Sequence, residues 1–125
     1  MPEIKAQDYL EHYRYSIIIE NDIDELWYTE KILNCFATKT IPIYLGATKI
    51  GERFNSDGII AVKDWREILE VIDSLYRNGL DTLYHDSAVQ EAIKDNFESV
   101  KPYQIGWKER FFRDYGRLLE EMLNE

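Results

Sequence analysis

The order of elements between Tyr13 and Gly46 leaves this chain few folds to choose from. Tyr15 to Ile19 is a run of aromatic and β-branched residues, interrupted only by Ser16 and ended by Glu20-Asn21, and it reads as a strand. Its unbroken apolar character predicts burial on both faces, as in a parallel sheet. An acidic loop follows. Thr29 then has the chemistry of an N-cap, and Ile32, Leu33, Cys35, Phe36 and Ala37 share one broad face of the helix it would start. Thr40 to Leu45 reads as the next strand. Strand, crossover helix and strand make a βαβ unit, whose hand is nearly always the same.

The rest of the chain extends that unit. Gly58 to Val62 suggests a third strand. Asp64 with Glu67 forms a capping-box pattern before a helix whose apolar positions Trp65, Ile68, Leu69, Ile72, Leu75 and Tyr76 keep helical spacing until Asn78-Gly79. Ser87 with Gln90 repeats the start signal for a helix through Val89, Ile93, Phe97 and Val100 that stops before Pro102. From Trp107 to Leu123 the residues Phe111, Phe112, Tyr115, Leu118, Leu119 and Met122 make an aromatic stripe, which at that spacing reads as packing. The expected fold is α/β: a small Rossmann-like three-layer domain with a short parallel sheet of about three strands and four to five helices. A length of 125 residues suits one domain over 1–125 and is too short for two of this kind.

Open parallel sheets bind ligands beyond the carboxyl ends of their strands, which would gather Glu20, Asn21, Glu30, Lys31 and Gly46 on one rim. A phosphate at the helix start would meet free backbone N–H groups, the positive end of the helix dipole and the Lys31 ammonium. Glu30 suits vicinal hydroxyls, such as those of a ribose, and repels phosphate. The plain alternative is that Glu30 and Lys31 are solvated charges in a first helical turn.

The motifs Glu20-Asn21, Thr29-Glu30-Lys31 and Pro42-Ile43-Tyr44-Leu45-Gly46, continuing through Arg53-Phe54-Asn55 and Lys63-Asp64-Trp65, resemble the donor-binding signature of the α-1,3-fucosyltransferase family, over roughly residues 13 to 70. The resemblance implies the C-terminal, donor-binding half of a metal-independent inverting enzyme of two Rossmann-like domains, the GT-B architecture, which transfers fucose from GDP-fucose to a sugar hydroxyl. It further implies that Asn21 and Lys31 contact the diphosphate, that Glu30 holds the ribose, and that the residue two before Thr29 lines the same pocket. The family usually has tyrosine there; this chain has Trp27, with Tyr28 beside it. An indole N–H donates but does not accept, so the contacts to donor would differ or Tyr28 would substitute.

Other chemistries find little support. The 24 acidic residues against 15 basic give a formal charge of −9, which opposes binding to nucleic acid or an anionic membrane surface. Asp22, Asp24 and Glu25 lack the glycine and spaced oxygens of a calcium loop and read as a solvated turn, so no metal and no cofactor beyond the nucleotide-sugar substrate is expected. Cys35, the only cysteine, lies on an apolar helical face, and His12 and His85 have no spaced partners for zinc or a triad. No segment has the length and apolarity of a membrane span, and the expected location is the cytoplasm.

The resulting expectation is a donor-binding domain for a GDP-fucose-like nucleotide sugar, incomplete and not catalytic alone, with Glu20, Asn21, Trp27, Tyr28, Thr29, Glu30, Lys31 and Gly46 as the site and no catalytic residue of its own. One alternative is a glycosyltransferase half with a different nucleotide-sugar donor. Another is a non-catalytic oligomeric module that keeps the fold. Some helix faces exceed what a three-stranded sheet can cover, so the C-terminal aromatic helix is expected to face a missing acceptor domain or a second copy of the chain.

Overall fold

The structure is a computed structural model and describes residues 13–100, 115–117 and 120–123. Strands β1 (Tyr15–Ile19), β2 (Ile41–Leu45) and β3 (Ile60–Ala61) form one parallel sheet in the order β1-β2-β3, with Tyr15 paired to Ile41, Ile19 to Leu45 and Ile43 to Ile60. Helix α1 (Glu30–Ala37) is the crossover between β1 and β2. Two 3-10 turns, Ile50–Glu52 and Ser56–Gly58, lead into β3. Helices α2 (Trp65–Asn78), α3 (Leu80–Tyr84) and α4 (Ser87–Val100) follow, and residues 115–117 and 120–123 are helical.

Alternation along β2 divides the core between the two faces of the sheet. Tyr44 points to the α1 side and joins Ile18, Tyr28, Ile32, Leu33, Phe36 and Phe54. Ile43 and Leu45 point the other way, onto Val62 and the Ile68 and Leu75 positions of α2. At the amino end of β2, Ile41 packs against Val89 and Ile93 of α4, while Val100 at the far end of α4 reaches the α1 cluster. The domain is therefore α/β and Rossmann-like, with helices on both faces of a short parallel sheet.

The caps explain where the helices begin. The Thr29 hydroxyl accepts from the Lys31 N–H at 3.4 Å, and Asp64 Oδ1 accepts from Arg66 and Glu67 N–H at 2.9 and 3.0 Å. Helix α2 stops at Gly79, whose φ of 87° lies in the region open to glycine. At α4 the cap is Asp86, which accepts from the Ala88 and Val89 N–H groups, and not Ser87. A carboxylate one residue earlier satisfies the same orphan donors. Helix α3 has no counterpart in the sequence reading, since one turn is too short to show a period.

Burial of β1 on both faces is not what the structure shows. Ile17 and Ile19 are 46% and 48% exposed. The reason is topological: among the described residues β1 is an edge strand, and α2 covers β2 and β3 but not the outer half of β1. A groove of about 530 Å³ lies between them, lined by Tyr13, Ile17, Ile43, Ile72, Leu75 and Tyr76 among others. Trp65, Leu69 and Tyr76, assigned to an apolar helical face by spacing, are exposed as well. Of the C-terminal stripe, Phe111, Phe112, Leu118 and Leu119 lie outside the described residues, as does His12.

Candidate functional site

At the carboxyl ends of β1 and β2, side-chain hydrogen bonds tie the sheet to the start of α1. After Ile19 the chain leaves the ladder at Glu20, whose N–H still donates to the Leu45 carbonyl at 2.9 Å. The Glu20 side chain turns inward and is 4% exposed, an unusual place for a carboxylate. It is accommodated because Oε1 accepts from the Thr29 hydroxyl at 2.8 Å. Burial pushes the Glu20 carboxyl above the ordinary carboxylate range, against the opposing pull of the Thr29 hydrogen bond and the Lys31 charge.

Thr29 thus does two jobs at once: its hydroxyl donates to Glu20 and accepts from the backbone of α1. The Lys31 ammonium returns across the helix start and donates to the Ile19 carbonyl at 3.1 Å, which leaves two of its three protons for other acceptors. The strand end, the cap and the first helical turn are tied together by three side chains that are close neighbours in space.

Gly46 has a steric reason to be glycine. A Cβ there would stand 2.5 Å from Glu20 Cγ and 2.6 Å from the Tyr44 ring end and hydroxyl. Tyr44 is itself fixed, because its hydroxyl accepts from the Ala47 N–H at 3.2 Å. The close approach lets Glu20 and Tyr44 occupy the rim side by side.

Two cavities flank this knot. One, of about 380 Å³, is lined by Glu20, Asn21, Asp22, Asp24, Trp27, Tyr28, Thr29 and Tyr115. The other, of about 300 Å³, opens beyond the carboxyl ends of β2 and β3, between Ile23, Tyr44, Gly46, Ala47, Thr48 and Lys63. The sequence-derived site residues divide accordingly. Glu20, Asn21, Trp27, Tyr28 and Thr29 line the first cavity, and Gly46 lines the second. Glu30 and Lys31 stand at the start of α1, outside both linings.

Trp27 and Tyr28 take different environments. The Tyr28 side chain is buried edge-on against Phe54, with ring centroids 5.5 Å apart. Trp27 is half-buried, and its indole N–H donates to Met122 Sδ at 3.2 Å. The acidic loop is pinned rather than free: the Asp24 and Glu25 carbonyls accept from the Thr48 and Lys49 N–H groups at 3.1 and 2.9 Å, and Lys49 pairs with Glu25 at 3.3 Å. Among the described residues no group of three or more His, Cys, Asp or Glu side chains is arranged to hold a metal ion. Nor is any described helix long and apolar enough to cross a membrane.

Sequence reasoning missed Tyr115 and Met122, which reach this rim from the C-terminal helix. The expectation that the aromatic helix had lost its docking site does not hold for its described part, which docks on Trp27, Tyr28 and Arg53 of the same chain. The signal was the stripe itself, in which Tyr115 and Met122 stand seven residues apart, the separation that brings side chains to one helical face.

Comparison with known proteins bears on this arrangement. The model of a family described as glycosyltransferase family 10 (fucosyltransferase), C-terminal, matches residues 1–86. An alpha-(1,3)-fucosyltransferase FucT of Helicobacter pylori is 31% identical over 85 residues, which is 63% of this chain and 18% of that protein. A crystal structure of an alpha1,3-fucosyltransferase with GDP superposes with a TM-score of 0.57 at 26% identity, covering 75% of this chain and 26% of that one. A second, with GDP-fucose, gives 0.55 at 24% identity, a likeness of fold. The chain spans less than a fifth of the length of the bacterial relative and about a quarter of the solved chains.

Proposed function

We propose that this chain, which belongs to glycosyltransferase family 10, the fucosyltransferases, by its match to their C-terminal domain, is the part of such an enzyme that binds the nucleotide-sugar donor. The observation that carries the reading is the knot of Glu20, Thr29 and Lys31 at the carboxyl end of a parallel sheet, beside two cavities and a helix N-terminus. That is where an open α/β sheet takes a nucleotide. In this reading Lys31 and the first N–H groups of α1 meet the diphosphate, Asn21 hydrogen-bonds the same side, and Glu30 accepts from the ribose hydroxyls. The cavity edged by Gly46, Ala47 and Lys63 receives the nucleoside. The cavity edged by Asp22 and Asp24 repels phosphate and suits a hydroxyl-rich sugar. The donor we assign is a GDP sugar, since GDP and GDP-fucose are what the similar crystal structures are described as holding.

We assign transfer to an acceptor to groups outside this unit, which spans about a quarter of the length of the solved fucosyltransferase chains. Glu20, among the described residues the one carboxyl with a raised pKa, is buried and engaged by Thr29. We therefore assign donor binding here and acceptor activation elsewhere in the enzyme. Isothermal titration with GDP, UDP and ADP at low salt tests the assignment. Guanine-selective, saturable binding that weakens roughly tenfold or more in Lys31→Ala, the loss of a charge-assisted contact, is the expected result. Equal, non-saturating responses to all three nucleotides would refute it.

One observation favours a second reading. The indole N–H that would face a ligand at the position of the family tyrosine is committed to Met122. If UDP or ADP bound more tightly than GDP in the same titration, a different donor on the same scaffold would follow.

A further inference from the structure

Tyr115 enters the rim from outside the βαβ unit, and five contacts hold it and its helix there. Its hydroxyl donates to the Tyr28 carbonyl. Its ring lies on Trp27 with centroids 4.6 Å apart, and nearly parallel to Tyr28 at 6.3 Å and 19°. Seven residues on, Met122 Sδ takes the Trp27 indole N–H at 3.2 Å. Beside it both oxygens of Glu121 accept from one nitrogen, Nη2, of the Arg53 guanidinium at 2.7 Å, a contact between this helix and the core. Trp27 is thus gripped from two sides, by a ring and by a sulfur.

These contacts matter for binding because of what comes next in the chain. Tyr28 directly precedes Thr29, the N-cap of α1, so a carbonyl held at Tyr28 fixes the backbone entering the turn that carries Glu30 and Lys31. Tyr115 is also a wall of the cavity that contains Glu20, Asn21 and Trp27. Burial, with Glu20 and Glu30 nearby, pushes its phenol up to about 12, so it remains a donor throughout the physiological range.

We infer that Tyr115 is a positioning residue of the nucleotide-sugar site, holding Trp27 and the Tyr28 carbonyl so that the start of α1 is preformed for a nucleoside diphosphate. The C-terminal helix is then part of the donor site and not only a cover for the core. The inference rests on the donor reading above, and it assigns to this chain a site residue that the βαβ motif does not contain.

The test uses the full chain with 5-fluorotryptophan incorporated and the Trp27 fluorine signal assigned through Trp27→Phe. Tyr115→Phe keeps the ring and removes the hydrogen bond; Tyr115→Ala removes both. The expected result is GDP affinity weakened roughly three- to fivefold in the first and roughly tenfold or more in the second, with the Trp27 signal displaced in the same order. A lowered melting temperature with unaltered GDP affinity and an unmoved Trp27 signal would overturn the inference and leave Tyr115 as packing. Should Tyr115→Ala not fold, Tyr115→Phe alone decides it by the same two readouts. Wild-type protein that does not bind GDP would sink the donor reading, and with it the ligand half of the inference. GDP bound with equal affinity by wild type and Tyr115→Phe would sink the role of Tyr115 alone.

Discussion

Replacing Gly46 by alanine inserts one methyl group at the most crowded point of the rim. The new Cβ would stand 2.5 Å from Glu20 Cγ and 2.6 Å from Tyr44 Cζ and its hydroxyl, where carbon atoms normally keep about 3.5 Å or more. Neither neighbour yields easily. Tyr44 is buried with its hydroxyl on the Ala47 N–H, and Glu20 is buried with its carboxylate on Thr29. Overpacking of this kind costs about 1–3 kcal/mol. If Glu20 is driven off Thr29, the lost bond adds about 1–3 kcal/mol. The sum, about 2–6 kcal/mol, is a large part of the stability of a domain this size and corresponds to a fall in Tm of roughly 8–24 °C. Thermal unfolding followed by circular dichroism measures it. Gly116→Ala is the internal control: it makes the same chemical change at an exposed helical position with nothing within 4 Å of the new atom, and should stabilise by about 0.5–1 kcal/mol. A Gly46→Ala protein melting within a degree or two of wild type would refute the steric account of the rim.

Glu20 gives a pH dependence of defined sign. Its folded pKa is raised above the model-compound value of 4.5, so the folded state binds that proton more tightly than the unfolded one. Its contribution is therefore fully present below about pH 4.5 and declines as pH rises through the folded pKa. Glu20→Gln keeps an acceptor for Thr29 without the charge. Urea midpoints measured from pH 4 to 8 should show the variant gaining on wild type as pH rises; a difference independent of pH would contradict the assignment. Asn96 is buried, with Oδ1 accepting from the Asn55 N–H at 2.8 Å and Nδ2 donating to the Asn55 carbonyl at 3.0 Å; Asn96→Ala orphans the Asn55 N–H, while the carbonyl keeps the Gly58 N–H at 3.1 Å, and should cost about 1–3 kcal/mol in chemical denaturation. A loss below about 1 kcal/mol would mean that water replaces the side chain.

Local chemistry was enough to find β1, α1, β2 and α2, because each rests on a short-range signal: a β-branched run, a capping threonine or aspartate, a helical period, a terminating glycine. That Glu20 and Lys31 share one rim followed from the βαβ topology; that Thr29 joins them through a hydrogen bond to Glu20 did not. What stayed out of reach depends on which element lies beside which. Nothing in the sequence of β1 says that among the described residues it is an edge strand with Ile17 and Ile19 exposed, and both residues would suit a buried strand equally well. The choice of Asp86 over Ser87 as cap turns on one residue of register. The aromatic stripe announced that Tyr115 and Met122 share a helical face, but not that this face meets Trp27.

The central claim is that a guanine nucleotide sits at the carboxyl end of this sheet, and amide chemical-shift mapping of the isotopically labelled chain during titration with GDP tests it most directly. The account predicts saturable shifts at Asn21, Glu30, Lys31, Gly46, Ala47 and the Trp27 indole, with Ile17, Ile72 and Tyr76 at the opposite groove unmoved. Shifts confined to that groove, or none at any concentration that saturates a family enzyme, would contradict it.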